Sequence, residues 1–271
     1  MASKPSLTAG FDLPFQEQID FFRAKLNLPT ERWDDIWQAA HDRAFVVAGA
    51  MKADLLDDLR QAVDKAISTG TTLETFRKDF TDIVGRRGWQ GWTGEGSPEG
   101  FAWRTKVIYE TNLRSSYAAG RWAQLNDPDF KALMPFWRYI HSDSVLNPRP
   151  QHKRWGDMKL TLPADHPFWK THFPPNGWGC RCRVTVVMAP KAGDASEPPE
   201  GWNVPDERGN LPGIDKGWAY APGANASKEL DDLVRNKAAS LPPPLAADFL
   251  DDINARQRRQ GRPVGAKDPA Q

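Results

Sequence analysis

The stretch 135–187, PFWRYIHSDSVLNPRPQHKRWGDMKLTLPADHPFWKTHFPPNGWGCRCRVTVV, constrains the chain most, because it holds both cysteines and four of the five histidines. Two alternating segments bound it. In 136–140, Trp137 and Tyr139 alternate with Arg138; in 182–187, Val184 and Val186 alternate with Arg183 and Thr185. Period two over such short runs predicts strands. Between them the prolines (148, 150, 163, 167, 174, 175) and the glycines (156, 177, 179) remove donors and turn the backbone sharply. The expectation is a long ordered loop pinned by two strands. Order is expected because Trp155, Phe168, Trp169, Phe173 and Trp178 supply aromatic surface that must be buried.

Helical periodicity dominates upstream. Phe15, Ile19, Phe22 and Leu26 share one face of a helix over 14–28, which Pro29 stops. Thr30 caps a second expected helix, carrying Trp33, Ile36, Trp37, Ala40, Ala44 and Val47. A third spans 52–68 with Leu55, Leu56, Leu59, Val63 and Ile67 inward and Gly70 as its stop; Thr72 caps a fourth that ends at Gly85. The run GWQGWTGEGSPEG, 88–100, is a Gly-rich junction with the composition of a hinge. It lacks both phosphate-binding glycine patterns. Residues 101–125 then read as one long helix with a narrow strip of Asn112, Ser115, Ser116 and Ala119. Such a strip lets another element approach closely. Arg114 and Arg121, two turns apart, are placed to grip a phosphate or a carboxylate.

Downstream, 189–225 lacks sustained periodicity, and Trp202 and Trp218 suggest an extended arm lying on a surface. Short helices are expected over 228–239 and 245–254, broken by Pro242, Pro243 and Pro244, and Arg256, Arg258, Arg259 and Arg262 form a basic tail able to touch nucleic acid at low salt. Residues 1–10 read as a flexible leader. The expected class is α+β: an N-terminal helical region (11–87), a domain over 101–188 with a long helix and a small antiparallel sheet bearing the Trp/Pro-rich loop, and an arm over 189–271.

Net charge gives little direction, since 36 basic residues balance 35 acidic ones. A C-x-C pair is no disulfide framework, and a reducing cytoplasm fits it. No signal peptide or membrane span is expected. His141, His152, His166, His172, Cys180 and Cys182 are zinc-binding types, and His152, His166, His172, Cys180 and Cys182 form the candidate metal set. Against that, the C-x-C spacing is not the grip of common zinc folds and argues against both thiolates meeting one ion without a bulge. The alternative is a set of structural histidines hydrogen-bonded in a proline-rich loop. A hydrolase would use His152 or His166 as base with Asp143 or Asp165 orienting it. No nucleophile motif supports catalysis, so no catalytic residue is assigned. Arg149, His152, Lys153, Arg154, Arg181 and Arg183 make either an electropositive contact surface or a plain solvated face.

The series TNLRSSYAAGRWAQL (111–125), YIHS (139–142), NPRPQH (147–152), HPFWKTHFPPNGWGCRC (166–182) and KGWAYAPG (216–223) resembles the phage head morphogenesis family typified by the F protein of phage Mu. The N-terminal RAKLNLPTERWDDIWQAAHDRAFVVAGAMKADLL is similar to the same part of Mu-like prophage F proteins. The shared positions fall on Arg149, His152, Pro174, Pro175, Cys180 and Cys182. The resemblance implies a minor structural protein of a tailed-phage or prophage head rather than an enzyme. It implies the portal and other head proteins as partners, possible contact with phage DNA in packaging or ejection, no membrane, and a place in the virion after assembly in the host cytoplasm. No cofactor is implied, zinc being the one candidate. Interface anchors are then expected at Arg114, Arg121, Arg149, Trp155, Trp169, Trp178, Arg181 and Arg183. A nucleic-acid-binding module or a metal-dependent enzyme using the His/Cys loop is the rival reading.

Overall fold

The computed structural model describes residues 14–36, 38–145, 147–225 and 230–259, with side chains described to residue 255 at the C-terminal end. The expected leader, 1–10, and the arginine side chains of the basic tail lie outside that description. The architecture is α+β, as expected: a helical half, one long helix, and a small antiparallel sheet. No helix among the described residues is long and apolar enough to cross a membrane.

Helix α1, Gln16–Ala24, ends earlier than its apolar face suggests. Its continuation, β1 (Leu26–Asn27), pairs in parallel with β2 (Ala44–Phe45). The helix expected from Thr30 to Val47 does not form. The Asp35 carboxylate takes the N–H groups of Glu31 and Arg32 at 2.8 and 3.0 Å, a local turn that competes with helix propagation. Among the described residues of that segment, which leave out Trp37, the helical part is a short 3₁₀ turn, Gln38–Asp42. Its apolar residues Ile36 and Ala44 are used elsewhere, packing with Leu26 and Leu28 and with Phe249 and Ile253 far along the chain.

The next helices follow the pattern. In α2, Ala53–Thr69, Leu55, Leu56, Leu59 and Val63 are buried, and Gly70 ends the helix at φ 70°, a left-handed turn that glycine takes without steric cost. Thr72 Oγ1 accepts from the Thr75 N–H at 3.3 Å and caps α3, Leu73–Arg87. That helix runs through Gly85 and stops at Gly88 instead. The Gly-rich junction is a packed corner rather than a hinge. Trp89 and Trp92 are buried on Phe80, with ring centroids 6.1 and 5.3 Å away, and the backbones of Gly94 and Gly100 approach so closely that a Cβ on either would clash at 2.5 Å.

Helix α4, Pro98–Leu125, is capped by Ser97, whose Oγ accepts from the Gly100 N–H at 3.0 Å, with Pro98 at the first helical position. Its early turns give Ile108, Tyr109 and Leu113 to the helical core; its last turns give Ala118, Trp122 and Leu125 to a second core. The small strip does what small residues allow. Here α1 lies close, with Gln18 Nε2 donating to Ser116 Oγ (3.1 Å) and to the Leu113 carbonyl (3.2 Å).

After the short α5, Pro128–Leu133, the second core is organised by a sheet of order β4-β3-β5. Strand β3 (Phe136–Ile140) pairs antiparallel with β4 (Thr161–Pro163) and β5 (Arg183–Val187), placing Trp137 opposite Leu162 and Val186. The long loop expected between β3 and β5 is more regular than its prolines suggest. It contains α6, Pro150–Asp157, β4, and α7, Phe168–His172. Pro150 occupies the first helical position of α6, where its missing N–H has no intrahelical partner to lose. The span 189–225 is part of this core rather than an arm on its surface: Trp202, Leu211, Ile214, Trp218 and Ala221 pack with Trp155, Phe168 and Trp169. Helices α8 (Leu230–Ser240) and α9 (Pro243–Arg259) close the described chain.

Candidate functional site

Three segments meet at the C-terminal end of β3. The strand itself ends at Ile140 and delivers His141; the first turns of α6 deliver His152, which is 2% exposed; and the tight turn before β5 delivers the cysteines. The Cys180 N–H bonds the Gly177 carbonyl at 3.1 Å, and β5 begins at Arg183. Cys180 and Cys182, two residues apart on this approach, turn their sulfurs the same way. Both lie 3.7 Å from His152 Nδ1. The spacing thus does not keep the two sulfurs apart: positions i and i+2 of extended chain share a face.

The environment of His152 fixes its tautomer. Its Nε2 is 2.6 Å from the Gly213 carbonyl oxygen. A carbonyl can only accept, so Nε2 carries the hydrogen and Nδ1 turns a lone pair toward the sulfurs. The thiols share their protons unequally. A hydrogen bond from Cys182 holds the Cys180 thiol far below its ordinary range despite burial; the same bond and burial raise Cys182. Tyr139, fully buried, is raised by desolvation and by the neighbouring thiols.

The remaining histidines have other duties. His166 Nδ1 accepts the Phe168 N–H at 3.1 Å at the start of α7, and its Nε2 faces Glu197 at 4.0 Å. His172 is fully buried, stacked on Phe168 at 4.4 Å, with burial pushing its imidazole down to about 4. Neither joins the His152, Cys180, Cys182 cluster, whose ligand atoms lie within 4.8 Å of one another. Asp165 pairs with Lys131, and His152 turns to a carbonyl and two sulfurs, so neither base candidate is oriented by Asp143 or Asp165.

A second layer holds the turn in place. The Arg149 guanidinium forks onto Asp215, with Nε to Oδ1 at 3.0 Å, and also donates to the Trp178 carbonyl at 3.0 Å. Asp215 Oδ2 takes the Trp178 N–H at 2.9 Å, and the Asp215 N–H bonds the Asn176 carbonyl at 3.0 Å. Tyr139 donates its hydroxyl hydrogen to Asn176 Oδ1 at 3.0 Å. Gly177 is required for this strap, because a Cβ there would stand 2.3 Å from Asp215 Oδ2. Arg149 is therefore engaged inside the molecule. Sequence reading gave no role to Asp215, Asn176 or Gly213, although Asn176 lies within the 166–182 series.

The expected aromatic anchors divide. Trp155 and Trp169 are each 1% exposed and belong to the core, which removes them as contact residues. Trp178 is 40% exposed, edge-on to Trp33 and Trp218 at 5.9 and 5.2 Å. The other predicted arginines converge. Arg114 and Arg121 from α4 face Arg181 and Arg183 across a cleft of about 480 Å³ whose lining includes Cys180 and Cys182. Glu110 partly offsets them, pairing with Arg114 at 3.6 Å and Arg181 at 3.2 Å.

Residues 57–185 match the family described as Phage Mu protein F like protein. The chain carries a Mu F-like region. It is 38% identical over 188 residues to the putative capsid assembly protein F of Escherichia phage Mu, covering 65% of this chain and 41% of that protein. It is 35% identical over 167 residues to the Mu-like prophage FluMu F protein of Haemophilus influenzae, covering 58% and 38% respectively. The chain thus spans about two fifths of the length of these curated relatives. No solved structure matches it. The resemblance read from the motifs is borne out, and the Mu F-like region contains His152, Cys180, Cys182 and all four cleft arginines. Gly213 and Asp215, which brace them, lie beyond it.

Proposed function

We propose that the chain acts in the morphogenesis of a tailed-phage or prophage head, as a minor head component docked at or near the portal vertex. The observation that carries this reading is its similarity, over 188 residues, to a protein named as a putative capsid assembly protein. The cleft supports it physically. Four arginines set on a long helix and on a braced turn form a rigid, electropositive recess suited to an acidic segment of another head protein. Arg183 carries no ion pair among the described residues, and Arg121 bonds only the neutral Gln124 side chain, at 2.7 Å, so both keep their charge for a partner. Contact with DNA during packaging or ejection is a finer part of the same proposal.

The test is quantification of the protein in purified heads against free protein in the same lysate, with portal as the internal standard. A low, fixed ratio to portal is expected. Absence from heads and from mature particles overturns the virion role. The double variant Arg121→Glu/Arg183→Glu is expected to lower incorporation at least about tenfold while the chain stays folded, because a like-charged recess repels an acidic partner.

A further inference from the structure

We propose that His152, Cys180 and Cys182, completed by His141, bind one zinc ion as a structural clasp. The inference is independent of the head role and stands or falls separately.

Three donors, His152, Cys180 and Cys182, already stand at the spacing of a coordination shell, and His141 reaches it beside Cys182. With Zn–S near about 2.3 Å and Zn–N near about 2.0 Å, a tetrahedral site has S···N edges of about 3.5 Å. The observed edges are 3.7 Å from His152 Nδ1 to each sulfur and 3.6 Å from His141 Nδ1 to Cys182. Hydrogen-bonded thiols have similar separations, so distance alone does not decide.

Three further observations favour a metal. The backbone carbonyl of Gly213 holds the Nε2–H of His152 and leaves Nδ1 as a lone-pair donor, the arrangement that metal-bound imidazoles adopt. Gly156 lets His141 lie against α6, since a Cβ there would stand 2.4 Å from His141 Cβ. That contact keeps a second imidazole at the edge of the cluster. Finally, the donors come from the end of β3, from α6 and from the approach to β5, so one ion ties together three segments of a core with only short strands.

The donor set selects the ion. Two thiolates and two imidazoles are soft and borderline ligands, which favour zinc over magnesium or calcium. Zn²⁺ and two thiolates sum to zero charge, which suits a site where His152 and Cys180 are 2% and 3% exposed.

The experiment uses the full chain, purified under reducing conditions, stripped with a chelator and titrated with Zn²⁺ or Co²⁺. One ion per chain is expected. Co²⁺ should give an intense thiolate-to-metal charge-transfer band, and Zn²⁺ should shield both thiols from a maleimide until the chelator is restored. Cys180→Ser and Cys182→Ser should each weaken that band, His141→Ala should bind at least about tenfold more weakly, and His166→Ala should bind as the parent does. The band and the thiol protection are read on the unaltered chain, so a variant that fails to fold leaves the test intact. Substoichiometric binding, cobalt binding without the thiolate band, or thiols that stay reactive in excess zinc would each overturn the clasp and leave a pair of hydrogen-bonded thiols.

Discussion

Around α2 and α3, Gly70 ends one helix and Thr72 caps the next, and Phe76 packs beside Phe80 on the same face one turn on. Around the sheet, Arg149 reaches Asp215 across 66 residues of sequence, His152 reaches Gly213 across 61, and Arg138 reaches Asp194 across 56. The first region is specified by near neighbours and the second by distant ones. The difference teaches where each is vulnerable: the helical core loses stability in increments, whereas the site core depends on a few long-range joints that position its chemistry.

The largest test of that contrast removes one large ring from each side. Trp155→Ala and Phe80→Ala each empty a fully buried position and should cost about 3–5 kcal/mol. Because α4 contributes to both cores, denaturation followed by far-ultraviolet circular dichroism and by tryptophan fluorescence should give coincident transitions in either variant. Separate transitions would show that the two regions melt apart.

A smaller effect is expected at the strap. Asp215→Asn removes the charge that Arg149 and the Trp178 N–H share, and should lower unfolding free energy in urea by about 1.5–3 kcal/mol. Arg149→Lys should lose much of the same, since an ammonium cannot fork onto a carboxylate. Wild-type stability in both would mean that the long-range joints are not what holds the turn. Smallest of all, Thr72→Ala or Ser97→Ala should cost about 1 kcal/mol each by removing a local cap, a shift visible in the same urea titration.

The same contrast explains what could be read from sequence. Helix α2 was legible from its apolar period and its Gly70 stop, α3 from its period and the Thr72 cap, and α4 from its period alone. The strands β3 and β5 were legible from alternation. The segment after Thr30 was not, since its apolar residues serve β1, β2 and α9 rather than a helix of their own, and that destination is invisible locally. At the site, the residue types of His152, Cys180 and Cys182 could be singled out, but His166 and His172 carry the same label with different duties. Only the fold separates them. Trp155 and Trp169 looked like anchors because tryptophan suits both an interface and a core, and burial decides between the two.

Helix α4 sets the angular relation between the two cores. Each residue of an α-helix adds about 100° of rotation and about 1.5 Å of rise. Deleting Ser115 would swing the sheet, the strap and the cysteine turn by roughly a quarter-turn or more about that axis relative to α2 and α3, with every cleft arginine still present. The two halves of the molecule are therefore phased like wheels on a common axle, and the length of this helix between them is as much a part of the cleft's geometry as the arginines that line it.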